Sequence, residues 1–374
     1  MDLALSESQQ LLKNTVRAFM DRETPKDVLV ALQMSPTGYD PLTWESAAGL
    51  GWLGMLIPEE YGGSDASLTD AAVLFEELGR GPMPGPFFSS GVLGALTILE
   101  AATDEQKRRI LPGVANGSTI LTLALTEPNA SFGPRGVSLA AQRQGDRLVL
   151  NGVKLFVPDA VAATHLIVVV RTGEGSEDLS LLLVDTSLPG VRARLLPGFI
   201  GWQCEVTFED VHVPVQDLLG GAENTSWAVL SRALEKATPI LCAYEVGGCQ
   251  AVFDMSVAYS QSRVQFGVPI GKFQRVQDHI IRLVNHLDSA RWTTNEALWK
   301  LDTGRPATAS VHMAKAVASE AYLEACNAAH EVHAGIGSSH EYGLVKHTQM
   351  SRTLFHALGD PTWHKRRMAD ALRW

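Results

Sequence analysis

The pattern of apolar and polar positions changes twice along the chain. Up to about residue 115, apolar residues recur at helical spacing, and Ser6 with Glu7 precedes the first stripe as a helix start should. Between residues 118 and 221 the apolar runs are short and β-rich, and from residue 222 long helical periodicity returns. The pattern predicts an N-terminal helical domain (1–117), a central β domain (118–221) and a C-terminal helical domain (222–374).

The central segment predicts short strands separated by turn residues. They are expected at residues 119–125, 147–150, 165–171, 179–184 and 204–213. The pair Asn151-Gly152 follows the second run and favours the tight turn of a β-hairpin. We therefore expect the chain to reverse its direction at this pair.

Two long apolar-periodic runs, 229–260 and 273–300, predict a pair of antiparallel helices with a turn at Gly267, Pro269 and Gly271. Arg263 and Gln274 lie at the bent end of this pair. The planar fork of an Arg suits a pyrophosphate, and a Gln can both donate to and accept from the edge of a heterocycle. A helix hairpin whose Arg and Gln only contact water would show the same spacing.

Composition describes an ordinary globular protein of 374 residues, with 45% hydrophobic and 19% charged residues. The formal net charge of −10 argues against a nucleic-acid partner, because nothing would neutralise phosphates in bulk. The N-terminus lacks the basic and apolar regions of a signal peptide, and no apolar run has membrane-spanning length. We expect a cytoplasmic protein with no membrane partner.

The four cysteines are scattered without a Cys-x-x-Cys pair, which predicts buried thiols in a reducing compartment. The pair His330 and His333 encloses Glu-Val, which is not the His-Glu-x-x-His spacing of a zinc site. No metal site is expected.

The string Arg-x-x-Phe-Gly-x-Pro-Ile-x-x-Phe-Gln at residues 263–274 closely resembles the C-terminal signature of the acyl-CoA dehydrogenase family. The glycine-rich stretch 49–63 resembles a second segment of that family, and the helical, β, helical order is also the family's. The resemblance implies an α+β fold with an N-terminal helical domain, a small central β-barrel and a C-terminal four-helix bundle. It also implies that Arg263, Phe266, Phe273 and Gln274 belong to an FAD site completed across a dimer interface.

Two segments of the β domain resemble flavin-contacting segments of the family. Leu125-Thr126-Glu127-Pro128 matches the start of the L-T-E-P-x-x-G-S-D loop, but Ser131-Phe132-Gly133 stands where Gly-Ser-Asp is expected. The segment from Asn151 resembles N-G-x-K-x-W-I-T-N. Phe156 would cover one face of the flavin ring. Pro158 stands in place of the Thr that donates to flavin N5, and a proline has no N–H to donate. Read by itself, Thr126 could equally be a capped strand end. The resemblance implies cofactor contacts from Leu125, Thr126, Ser131, Phe156 and Pro158.

Residues 331–337 resemble the family's Q-x-x-G-G-x-G segment, whose bare backbone approaches the ADP pyrophosphate of FAD. Gly335 and Gly337 are kept, and Glu331 replaces the Gln. A carboxylate that faces a pyrophosphate would be repulsive unless it turns away or is protonated.

The family removes the α-proton of an acyl-CoA with a carboxylate, but both of its known base positions are vacated here. They correspond to Leu358 and Ala237. Glu245 lies in an otherwise apolar helical run and resembles the helix Glu proposed as the base in bacterial steroid acyl-CoA dehydrogenases. A buried Glu paired with an Arg such as Arg291 is the structural alternative. Asp360, which the resemblance also places beside the cofactor, is the fallback base.

The sequence thus predicts an FAD-dependent acyl-CoA dehydrogenase subunit that catalyses α,β-desaturation, with Glu245 as base and electron-transfer flavoprotein or a similar acceptor as partner. The family usually forms homotetramers or α2β2 tetramers with a paralogue. The departures at 131–132, 158, 331 and 358 keep a second reading open, a non-catalytic partner subunit of an α2β2 enzyme. A flavin oxidase or monooxygenase on the same fold is a third reading, and the acyl group stays open.

Overall fold

The computed structural model describes residues 4–35, 37–175, 178–198, 203–221 and 226–374, without the side chains of residues 26, 30, 33, 34 and 226. Two compact units contain these residues. One comprises segments 1–30, 68–83 and 238–374, and the other comprises segments 31–67 and 84–237. The predicted boundaries at residues 117 and 221 follow the family's order of domains and stay predictions.

Eleven α-helices lie in the described residues: α1 (Glu7–Glu23), α2 (Lys26–Met34), α3 (Pro41–Gly49), α4 (Leu68–Arg80), α5 (Ala95–Ala101), α6 (Asp104–Ala115), α7 (Ser226–Ser262), α8 (Gln274–Asp302), α9 (Thr308–His333), α10 (Leu344–His356) and α11 (Pro361–Leu372). The predicted start of α1 is confirmed, since the Ser6 hydroxyl accepts the Gln9 N–H while the Gln9 side chain accepts the Ser6 N–H. In the C-terminal part, α9 packs against α8, α10 and α11.

The β domain contains the strands β1 (Leu121–Ala124), β2 (Ala141–Gln144), β3 (Arg147–Pro158), β4 (His165–Arg171), β5 (Leu179–Asp185), β6 (Val191–Leu195) and β7 (Gln203–Pro214). One sheet has the order β1-β4-β5 and the other the order β2-β3-β7-β6. The five predicted strands are confirmed. The two missed strands, β2 and β6, are the sheet's edges, where exposed polar residues leave no apolar run to read.

The hairpin predicted at Asn151-Gly152 is wrong, because both residues lie inside β3. Pairing of β3 with β7 shifts register between Leu150 and Gly152, and Gly152 adopts φ 153°. The Asn151 side chain accepts the backbone N–H of Asp210 on β7 at 2.8 Å. The pair therefore forms a β-bulge instead of a chain reversal.

The turn between α7 and α8 is confirmed. Strands β8 (Val264–Gln265) and β9 (Val268–Pro269) pair antiparallel across the two-residue loop Phe266-Gly267. Both loop residues have positive φ, 52° and 78°, as the preferred hairpin turn requires. Arg291 on α8 donates to Gln250 on α7 at 2.9 Å, so the two helices run side by side.

Within the described residues, no helix has both the length and the apolar character needed to cross a membrane. The same residues contain no group of three His, Cys, Asp or Glu side chains able to hold a metal ion. The predicted burial of all four cysteines is confirmed, and none of these four described residues forms a disulfide: Cys204, Cys242, Cys249 and Cys326.

Candidate functional site

Thr126 presents two unused hydrogen-bond donors just beyond β1. Its carbonyl accepts the N–H of Leu155 on β3 at 2.8 Å, which fixes the orientation of the loop that begins at Leu125. Its own N–H and hydroxyl bond to no residue that the structure describes, and the residue is half-buried. These donors match the acceptor atoms at the edge of a flavin pyrimidine.

Phe156 is an aromatic side chain held outward by an irregular strand. The β3–β7 register shifts a second time between Lys154 and Val157, and Phe156 adopts φ 54°. The residue is 53% exposed, although the next residue on the strand, Val157, is buried. A non-glycine residue with positive φ at a bulge is typical of a functional position, and the exposed ring face is free to stack on a planar ligand.

Pro158 ends the same strand. Its carbonyl accepts the Thr122 hydroxyl at 2.6 Å, and its ring nitrogen has no hydrogen to donate. Ser131 lies in an exposed loop closed by Asn129, which accepts the Ser131 N–H and donates to the Gly136 carbonyl. Pro158 therefore cannot supply the donor of the Thr that the resemblance places at this position.

Beneath this surface lies an ion pair that sequence reasoning missed. The Lys154 ammonium, fully buried, donates to Glu127 Oε1 at 2.7 Å and to the Leu125 carbonyl at 3.1 Å. Burial lowers the pKa of Lys154 to about 8. Burial would raise the pKa of Glu127, but the bonds from Lys154 and Ser138 outweigh it and hold that pKa below its usual range. A Lys within a strand of apolar neighbours was the available signal.

Asp159, the next residue after Pro158, is a second buried carboxyl. It is 8% exposed, adopts φ 54°, and accepts a 2.5 Å hydrogen bond from the Ser89 hydroxyl. Burial raises its pKa to about 6, and the Ser89 bond offsets only part of that rise. The group is therefore ionised at neutral pH at a cost to the folded state.

We expect Asp159→Asn to stabilise the protein by about 3 kcal/mol at pH 7, since a shift from the usual 3.8 to about 6 is worth ~1.4 kcal/mol per unit. Between those two values the folded state binds more protons than the unfolded state, so the wild type loses stability as pH rises. The gain should shrink to about 0.5 kcal/mol at pH 4. Urea unfolding of both proteins at pH 4 and pH 7 measures it. Asp185, whose pKa the Ser187 hydroxyl and N–H lower, gives the control: Asp185→Asn should destabilise at pH 7.

In the other unit, the joint between α7 and α8 carries an exposed set of side chains. Phe266 is 93% exposed, and its ring meets Phe273 edge-on at 6.0 Å. Arg263 and Gln274 are also exposed. The Arg263 backbone is fixed by bonds to Tyr259 and Ile270, whereas its guanidinium contacts no described partner. A fully exposed aromatic ring beside an unpaired guanidinium is suited to a ligand or partner.

Among the described residues, the backbone that follows α9 has empty space beside it at Gly335. A side chain added at Gly335 would meet no described atom within 4 Å, which leaves room for a ligand against the bare chain. Glu331, near the end of α9, is exposed to solvent. The preceding Ala334 has φ 51° and ψ −136°, a conformation that glycine adopts easily and other residues avoid.

We expect Ala334→Gly to stabilise the protein by about 1 kcal/mol, because relief of backbone strain exceeds the added entropy of the unfolded chain. Thermal or urea unfolding measures the change. Ala258→Gly, at an exposed position inside α7, removes the same methyl group from a relaxed helix and should cost about 1 kcal/mol. Loss of stability in both variants would show that Ala334 is unstrained.

Glu245 is fully buried on α7. Its Oε1 accepts Lys315 Nζ at 2.9 Å and the Ser319 hydroxyl at 3.0 Å, both from α9, and its Oε2 has no partner among the described residues. Burial raises the pKa of Glu245, and Lys315 opposes that rise. The structural alternative, a buried Glu paired with an Arg such as Arg291, is right about the burial and wrong about the partner, which is Lys315. Arg291 bonds to Gln250 and lies 3.4 Å from Glu76.

The region around the vacated base position is held by hydrogen bonds. Leu358 adopts φ 60°, and His364 Nε2 lies 3.1 Å from its carbonyl oxygen. Asp360 caps α11, its carboxylate accepting the Trp363 N–H at 2.7 Å. The fallback acid thus already has a structural task.

The chain matches three family descriptions: "Acyl-CoA dehydrogenase, N-terminal domain" at residues 6–118, "middle domain" at residues 122–211 and "C-terminal domain" at residues 224–372. It therefore belongs to the acyl-CoA dehydrogenase family, confirming the resemblance and the helical, β, helical fold. Enzymes of this family are FAD flavoproteins and oxidoreductases that act on CH–CH bonds of acyl-CoA.

Similar proteins include a probable acyl-CoA dehydrogenase, YngJ, of Bacillus subtilis, 33% identical, with 92% of this chain and 93% of that protein covered. A 3-(aryl)acrylate reductase of Clostridium sporogenes is 30% identical, with 91% and 92% covered. Among solved structures, a variant of the steroid ACAD Tcur3481-Tcur3483 superposes with TM-score 0.87 at 28% identity, with 98% of each chain covered.

Proposed function

We propose that this chain is a catalytic subunit of an FAD-dependent acyl-CoA dehydrogenase that desaturates the α,β bond of an acyl-CoA thioester. The observation that carries the proposal is the presence of flavin-matched groups in both compact units. In one unit, Thr126 offers two hydrogen-bond donors without a described partner, and Phe156 offers an exposed ring. In the other unit, Arg263 offers an exposed guanidinium without a described partner.

The residues present fit FAD. Thr126 and the backbone at Leu125 would bind the pyrimidine edge, Phe156 would cover a ring face, and Arg263 would bind the pyrophosphate of a neighbouring subunit's cofactor. Ser131 would contact the cofactor, and Pro158 would contribute van der Waals contact without the donor of the family's Thr. Phe266, Phe273 and Gln274 would complete that neighbouring site, and Gly335 would admit the cofactor against bare backbone.

Glu245 is the proposed acceptor of the substrate's α-proton. Its raised pKa and its unbonded Oε2 support this role, since a base working near neutral pH needs both a matched pKa and a free lone pair. FAD, when bound, supplies the acceptor for the hydride that leaves the β-carbon. Proton and hydride together account for the two hydrogens lost, and Lys315 would hold the carboxylate in place.

The second candidate function is a non-catalytic partner subunit in an α2β2 assembly. A specific observation favours it: Glu245 is fully enclosed and paired with Lys315, and Asp360 is occupied as a helix cap. Under this reading neither acid meets substrate, and the base belongs to a paralogous chain. Both candidates need an assembly of at least two chains, because Arg263 serves a neighbour.

The physiological partners belong to the proposal too. We propose electron-transfer flavoprotein or a similar protein as the acceptor of the electrons, and the cytoplasm as the location. The four buried cysteines, which form no disulfide, support a reducing compartment.

The test is to purify the chain by itself and measure flavin absorbance and FAD per chain. We expect a yellow protein with near one FAD per chain, whose flavin bleaches anaerobically with a suitable acyl-CoA. A colourless chain that turns yellow only when co-expressed with a paralogue would establish the partner-subunit function instead. Flavin that saturated acyl-CoA leaves oxidised, but that an enoyl-CoA re-oxidises after chemical reduction, would contradict the proposed direction.

A further inference from the structure

We propose that the buried Glu127–Lys154 ion pair is a positioning clamp that holds the two flavin-facing segments of the β domain in register. The inference rests on the proposed function for its ligand. Its geometry lies wholly inside one compact unit.

The pair bonds to both ends of the Thr126 loop. Lys154 donates to the Leu125 carbonyl at 3.1 Å and to Glu127 at 2.7 Å, so its ammonium bonds to the residues on either side of Thr126. Leu155 then donates its N–H to the Thr126 carbonyl at 2.8 Å. Three consecutive loop residues are thereby tied to two consecutive residues of β3.

Glu127 extends the clamp to a third segment. Its carboxylate accepts the Ser138 N–H at 2.9 Å, the Leu139 N–H at 2.9 Å and the Ser138 hydroxyl. Every one of these bonds goes to a charged acceptor, which makes them stronger than bonds between neutral groups. The loop that leaves Pro128 is thus anchored again where it returns to the sheet.

The clamp also explains the outward ring of Phe156. In a regular strand, residues 154 and 156 would face the same side of the sheet. Here the Lys154 side chain is fully buried and Phe156 is 53% exposed, because the register shift between Lys154 and Val157 re-aims the strand. The bonds of the buried Lys154 ammonium fix the strand at one end of this bulge, and the bulge in turn sets the orientation of the Phe156 ring.

The test compares Lys154→Met, the double variant Glu127→Gln/Lys154→Met and Leu148→Ala with the wild type. Leu148 is a buried residue earlier on β3 that takes no part in these bonds, so it controls for loss of stability. FAD affinity is measured by quenching of flavin fluorescence. The flavin environment is followed by the positions of the flavin absorption bands. Amide hydrogen exchange is measured at Leu139 and Leu155 in the FAD-free protein.

We expect Lys154→Met to raise the FAD dissociation constant at least tenfold, shift the flavin bands and accelerate exchange at both amides. The double variant leaves no buried charge unpaired, so it should regain the stability that Lys154→Met loses. Its FAD affinity should stay low. Leu148→Ala should lose stability with a dissociation constant within twofold of wild type. Wild-type affinity and spectrum in the double variant, or an equal loss of affinity in Leu148→Ala, would overturn the clamp. A wild-type chain that binds no FAD overturns the proposed function. In that case the clamp is tested by amide exchange alone: faster exchange at Leu139 and Leu155 in Lys154→Met supports it, and unchanged exchange contradicts it.

Discussion

Glu245→Gln is expected to slow flavin bleaching by acyl-CoA at least a hundredfold, because general-base catalysis contributes about 10²–10⁴-fold. Gln keeps the size of the side chain and can still accept from Ser319, but it cannot take a proton. The measurement is anaerobic stopped-flow absorbance on protein that carries FAD. The variant also leaves the Lys315 ammonium buried without its carboxylate, so a loss of about 3–5 kcal/mol in stability is expected as well.

Two further variants separate chemistry from folding. Glu245→Gln/Lys315→Met removes both charges, so it should regain stability while bleaching stays slow. Glu77→Gln changes another buried glutamate, held by Arg17 at 2.6 Å, and should cost stability while bleaching at the parental rate. Parental bleaching in the double variant would make Glu245 a structural residue and mean that the base lies elsewhere.

Arg263→Ala is expected to raise the FAD dissociation constant about ten- to a hundredfold, since hydrogen bonds to charged groups contribute about 1.5–3 kcal/mol. The guanidinium is exposed and has no described partner, so the free energy of unfolding should change by no more than about 0.5 kcal/mol. Titration of FAD-free protein with FAD measures the affinity, and sedimentation checks that assembly is unchanged.

Arg275→Ala is the matched control. It removes an exposed Arg at the start of α8 that lies 3.7 Å from Asp278, and it should leave FAD affinity unaltered. Equal affinity in Arg263→Ala and wild type would remove Arg263 from the cofactor site.

Local sequence signals predicted much of this molecule. Helical periodicity located the long helices 229–260 and 273–300, which the structure extends to α7 and α8. The Gly and Pro residues between them predicted the turn, because their backbone preferences act over a few residues. Arg263 and Phe266 are exposed, and the part that the signature implies for them stays a prediction. The confirmed family resemblance supplied what spacing could not, the FAD and the acyl-CoA chemistry.

Other features depend on residues far apart in the chain. Asn151-Gly152 favours a hairpin locally, but continuous pairing with β7 makes it a bulge. The edge strands β2 and β6 are polar, and only their pairing with β3 and β7 makes them strands.

What the sequence by itself determined is therefore the set of elements whose preferences are local: helices, central strands and the turn predicted from Gly267, Pro269 and Gly271. The tertiary structure alone decided which buried charges meet. Glu245 pairs with Lys315, 70 positions away, and Glu127 with Lys154, 27 positions away. An ammonium in low dielectric must find a carboxylate, but which carboxylate it finds depends on how helices and strands pack, and no local pattern records that choice.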